Sequence, residues 1–142
     1  MQTWIYPAVI TEEGPGDFLV RFPDVPQALT GGASLEEAVA RAADALEEAV
    51  LHYLAEGVDI PLPRNAAKGE VSIPLDPVTA GRAAVAAIMA RQKLSKVALA
   101  AKMGKDEKVV RRILDGGGNT SMANVSSALK ALGAQAALSV TE

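Results

Sequence analysis

Four carboxylates near the start of the chain, Asp17, Asp24, Glu36 and Glu37, are of the type that could hold Mg²⁺ ions for phosphodiester cleavage. Each also has a simpler structural use. Asp17 lies at a turn, Asp24 can satisfy turn amides, and Glu36 and Glu37 stand in the first turn of an expected helix, where negative charge complements the helix dipole. The single histidine, His52, sits beside Tyr53 with no Ser or Asp partner in sequence. Zero cysteines exclude disulfides, thiol nucleophiles and cysteine-ligated metals. The expectation is a binding protein without catalytic residues, metal or cofactor.

The second candidate set is cationic. The stretch KMGKDEKVVRRILDG, residues 102 to 116, concentrates lysine and arginine in a chain of formal net charge -3. Residues 1 to 75 hold 4 Lys+Arg against 12 Asp+Glu, a net -8, whereas residues 76 to 142 hold 10 against 5, a net +5. This asymmetry points to two modules with different partners, the second partner a polyanion.

LSKVALAAKMGKDEKVVRRILDG has the layout of a helix-turn-helix: Ser95 as N-cap, a helix to Met103, Gly104 at the turn, Asp106 as the next N-cap and a second helix. Ala100 permits a close crossing, Gly104 supplies positive φ, and Val110 fills the joint. With Val110, Ile113 and Leu114 inward, a rotation of 100° per residue turns Lys108, Arg111 and Arg112 outward. In a major groove, Lys108 and Arg111 suit guanine O6 and N7, and Glu107 can accept from cytosine N4. Arg112, Lys93, Lys96 and the helix start from Ser121 to Asn124 are expected to hold phosphates. This segment, residues 79 to 133, resembles the Xre class of helix-turn-helix domains. Lys96 stands where that class often has a phosphate-contacting glutamine.

Around these residues the acidic module reads β-β-β-α-β. TWIYPAVI puts Trp4, Tyr6, Ala8 and Ile10 on one face, and DFLVRF does so with Phe18, Val20 and Phe22. The intervening Gly14, Pro15 and Gly16 suit a tight reversal. PQALT reads as a third strand, and Ser34 as the N-cap of a helix that carries Leu35, Val39, Ala42, Leu46, Ala49 and Val50 inward and ends at Gly57. EVSIPL is the fourth strand, Asp76 and Pro77 mark the module boundary, and QAALSV near the C-terminus alternates like a strand that could pair between copies. The fold class is therefore α+β, with modules at residues 1 to 75 and 76 to 142.

The order of a Tyr-Pro opening, an acidic hairpin, FPDVP and then SLEEA resembles the HicB antitoxin family, most specifically in RFPDVPQALTGGASLEEA. Gln27 and Ala28 replace the Gly-Cys usual after the proline. The resemblance implies a degenerate ribonuclease-H-like N-terminal domain and an appended promoter-binding domain, here of helix-turn-helix type. It further implies that the acidic module binds a basic HicA-type toxin, an mRNA-cleaving ribonuclease, and that the protein represses its own operon. A ligand-responsive regulator without a toxin is the alternative. No apolar run approaches the ~18 residues of a membrane span and the N-terminus does not read as a secretory signal, so a cytoplasmic address is expected. One helix-turn-helix contacts few base pairs, which implies a homodimer or homotetramer on a palindrome.

Overall fold

The computed structural model describes residues 1–142. Two compact units divide the chain: Met1–Val50 with Pro61–Asp76, and Leu51–Ile60 with Pro77–Glu142.

In the first unit β1 (Ile5–Gly14), β2 (Asp17–Arg21), β3 (Leu29–Gly32) and β4 (Val71–Pro74) form one antiparallel sheet in the order β3-β2-β1-β4. Gly14 pairs with Asp17, leaving Pro15 and Gly16 as a two-residue reversal. Proline presets the first φ, and Gly16 takes the positive φ of 73° that the second position needs. Alternation places Tyr6, Ala8, Val20 and Ile73 in the core, joined by Phe22, Val25 and Ala28. The helix α1 (Leu35–Glu56) turns Ala38, Ala42, Leu46 and Val50 inward. Gly32 lies against its first turn, where a Cβ would come within 2.7 Å of the Ala38 nitrogen.

The β-β-β-α-β order matches the sequence pattern, with two local differences. The third strand begins at Leu29 instead of Pro26, because Val25 and Ala28 donate to the Phe22 and Val25 carbonyls at 3.1 and 2.9 Å and hold residues 22 to 28 in turns. Leu35, the first helical residue, is exposed and takes no part in the apolar stripe.

The second unit contains α2 (Pro77–Gln92), α3 (Lys96–Met103), α4 (Glu107–Leu114) and α5 (Met122–Ala131). Val85, Met89, Leu99, Ala100, Val110, Ile113, Val125, Ala128, Leu129 and Leu132 form its core. Gly81 brings α2 close to α5, since a Cβ there would collide with Val125 Cγ1. Residues 135 to 142 form no strand within the single chain, and Leu138 and Val140 are exposed. No helix is long and apolar enough to cross a membrane.

Candidate nucleic-acid interface

The geometry of the basic stretch begins with its caps. Ser95 Oγ accepts from the Ala98 amide at 3.1 Å and starts α3. Gly104 ends it at φ 65°, with its own amide and that of Lys105 donating to the carbonyls of Ala101 and Ala100 at 3.2 and 3.1 Å. Asp106 then accepts from the Lys108 amide at 2.8 Å and starts α4. Three residues thus separate two capped helices, and the αL turn is one that glycine adopts without strain.

Ala100 and Val110 are buried, as are Leu99 and Ile113, which fixes the rotation of α4. Lys108, Arg111 and Arg112 are exposed in consequence, on the side away from the core. Lys93 and Lys96 are also exposed, the first just after α2 and the second at the first position of α3. The side chains of Lys93, Lys96, Lys108 and Arg112 make no hydrogen bond or ion pair within the chain, so their charge is available to a partner. Glu107 is different. Its Oε1 accepts from Arg111 Nε at 3.2 Å and lies 3.1 Å from Nη2, one turn along the helix. Glu107 therefore orients Arg111 in the free chain rather than offering a bare carboxylate.

Ser121 and Asn124 are likewise engaged locally. The Ser121 hydroxyl accepts from the Asn124 amide at 3.1 Å as the N-cap of α5, and Asn124 Oδ1 accepts from Lys105 Nζ at 3.2 Å. This last bond ties the turn between α3 and α4 to the start of α5. Sequence reasoning placed Lys105 in the basic stretch without a role; its spacing of 19 residues from Asn124 carries no periodic signal. It also passed over Arg82, a lone cation in the alanine-rich run TAGRAAVAA whose side chain is buried.

The carboxylates of the first unit are spread over separate structural tasks. Glu37 accepts from the Ala33 amide at 3.2 Å, pairs with Arg41 at 2.6 Å, and donates its own amide to Ser34 Oγ at 3.1 Å, a variant of the capping box. Asp24 accepts from the Arg64 amide at 3.2 Å. Arg64 in turn forks onto Glu70 with bonds of 2.7 and 2.6 Å, and the Ala67 amide adds a third donor to the same carboxylate. The Arg64 hydrogen bonds, then the Ala67 amide, hold the Glu70 carboxyl down to about 2. No group of three or more His, Asp or Glu side chains gathers as a metal site. His52 is exposed, with Nε2 3.5 Å from Glu56 one turn on.

The family model for the HicB-like antitoxin of bacterial toxin-antitoxin systems matches residues 5–84. The chain belongs to the HicB-like antitoxin family. That match runs from β1 into α2, and whole-length relatives extend it across the basic helices. Antitoxin HicB 1 of Photorhabdus laumondii is 34% identical over 135 residues, covering 95% of this chain and 86% of the relative. Antitoxin HicB of Escherichia coli is 30% identical over 135 residues, covering 94% and 96%. The HicB-like family is one of antitoxins and not of enzymes, which agrees with carboxylates used for caps and loop anchoring. The role of this chain is that of the antitoxin in a toxin-antitoxin system.

Proposed function

We propose that this HicB-like antitoxin neutralises a HicA-type, mRNA-cleaving ribonuclease toxin through residues 1 to 75 and represses its own operon through residues 76 to 142. The carrying observation is the set of unpaired cations around α4, held outward by buried Val110 and Ile113 in the half of the chain with net charge +5. In the major groove, Lys108 and Arg111 read guanine edges and Glu107 accepts from cytosine or steers Arg111. Lys93, Lys96, Arg112 and the start of α5 at Ser121 and Asn124 grip phosphates. The -8 half attracts a toxin that must itself be basic to bind RNA, which speeds their encounter and favours covering the toxin's RNA-binding surface. The antitoxin works in the cytoplasm as a homodimer or homotetramer, because one helix-turn-helix reads too few base pairs to select an operator.

The full chain carrying Lys108→Ala and Arg111→Ala tests this reading. Binding to the DNA upstream of its own gene is compared with binding to scrambled DNA at one salt concentration, alongside rescue of cells that express the toxin gene beside it. The double variant should lose roughly 1 to 3 kcal/mol of discrimination for each good base contact while still rescuing. Undiminished preference refutes the assignment of α4, and lost rescue by a folded variant refutes the division of labour.

A further inference from the structure

The recognition helix ends in an unusual way for a helix that must be held rigidly. Its C-cap, Asp115, has φ -85° and ψ 104°, so no left-handed residue folds the chain back to satisfy the last carbonyls. The Asp115 amide reaches only Arg111, at 2.7 Å. The missing donors come from another helix. Arg82 of α2, 5% exposed, donates from Nε to the Ile113 carbonyl at 2.9 Å and from Nη2 to the Arg112 carbonyl at 2.8 Å. The same Nη2 lies 2.8 Å from the carbonyls of Asp115 and Gly118 in the turn that leads to α5.

One guanidinium thus gathers the end of α4 and the following turn. Its burial excludes contact with DNA, so any effect it has on DNA passes through α4 and the turn that leads to α5. Its planar fork of donors suits several carbonyls at once, whereas a lysine ammonium is a point charge on a flexible stem. The positive charge also lies at the negative end of the α4 dipole. The four groups it holds at the end of α4 and in the turn beyond are backbone carbonyls, so these contacts set where the helix lies along its own axis and leave the reading side chains free. Core packing of Val110 and Ile113 fixes rotation about that axis but resists axial sliding less sharply than directional hydrogen bonds do.

We infer that Arg82 is a positioning residue for operator recognition: through the Arg112, Ile113, Asp115 and Gly118 carbonyls it fixes the placement of α4, and hence the register in which Lys108 and Arg111 meet base edges. This rests on the DNA-reading role proposed for α4. It separates two quantities that a purely structural residue would move together, since phosphate attraction tolerates a displaced helix and base readout does not.

The test uses the full chain with Arg82→Lys, and measures binding to its own upstream DNA and to scrambled DNA at one salt concentration, with circular dichroism to establish folding. The folded Lys variant should bind scrambled DNA within about twofold of the wild type yet lose on the order of tenfold in preference for the upstream DNA. A folded variant with unchanged preference overturns the positioning role alone. Wild-type protein with no preference at all overturns the DNA-reading function and this role with it. Should Arg82→Lys fail to fold, hydrogen exchange of the wild-type Arg82 Nε–H decides. Exchange slowed well below that of the exposed arginines, and slowed further on the upstream DNA but not on scrambled DNA, supports the clamp. Exchange as fast as theirs, or the same on both DNAs, overturns it.

Discussion

Lys93 occupies a position where glycine would be the less strained choice. It follows α2 with φ 54°, the only non-glycine residue at positive φ. Its amide donates to the Ala90 carbonyl at 3.3 Å, and the Leu94 amide reaches back to Met89 at 3.0 Å, the bonding of a Schellman cap. The left-handed conformation costs an L-residue roughly 1 to 2 kcal/mol, and replacement by glycine returns about 0.4 to 1 kcal/mol of that through a more flexible unfolded chain. Lys93→Gly should therefore stabilise the fold by about 0.5 to 1 kcal/mol, which for a chain of this size raises the melting temperature by about 1 to 4 °C. The side chain makes no bond within the protein, so the strain is offset by nothing internal. If it grips a phosphate, the same substitution weakens binding to all DNA and reduces the slope of log affinity against log salt by about 0.9. Thermal denaturation and a salt titration on scrambled DNA read the two effects separately. A lower melting temperature would refute the strain argument, and a stabilised variant with an unchanged salt slope would refute the phosphate contact.

Gly81→Ala should lose about 1 to 3 kcal/mol of stability by overpacking α2 against Val125, and Val125→Ala in the same chain should recover part of the loss, as read by denaturant unfolding. Glu107→Gln should change stability by no more than about 0.5 kcal/mol and, if α4 enters the major groove as proposed, raise affinity for scrambled DNA and reduce operator preference, because it removes a negative charge from the DNA-facing side and frees Arg111. The Glu70 carboxyl titrates at about 2 in the folded chain against an ordinary 4.5, so its stabilising contribution is complete above about pH 4.5 and is lost as pH falls toward 2. Wild type should consequently exceed Glu70→Gln in melting temperature near neutral pH by a margin that closes over that interval. A margin constant with pH would mean that the Arg64 fork does not hold the loop.

Periodicity and capping made most of the fold readable in advance. The inward faces of β1, β2 and β4, the N-caps Ser95 and Asp106, and the left-handed Gly104 each follow from a rule acting over fewer than about six residues. The departures arise where a longer-range or competing term intervenes. Pro26 opens PQALT, which reads as a short strand before Gly31 and Gly32, but the turns made by Val25 and Ala28 claim that backbone first, so pairing with β2 starts at Leu29. Leu35 follows the helical apolar pattern, yet at the first helical position it precedes the turn that α1 lays over the core.

The candidate site divides along the same line. Residues that would touch DNA were legible because they must be exposed on one side of a helix whose other side is apolar, and a hundred-degree rotation per residue reveals that arrangement. Residues that would place those side chains have no such period. Arg82 stands 30 to 36 positions from the carbonyls it holds, and its sequence surroundings are alanines that suggest nothing polar nearby. A charged residue inside an otherwise small and apolar helix is nevertheless a signal of its own kind, because burying a guanidinium is costly unless acceptors surround it. In an all-helical unit the acceptors that remain unpaired are the final carbonyls of each helix. An arginine in a helix with no polar face should therefore direct attention to the helix in the same unit that no left-handed residue closes, and in this antitoxin that helix is the one proposed to read DNA.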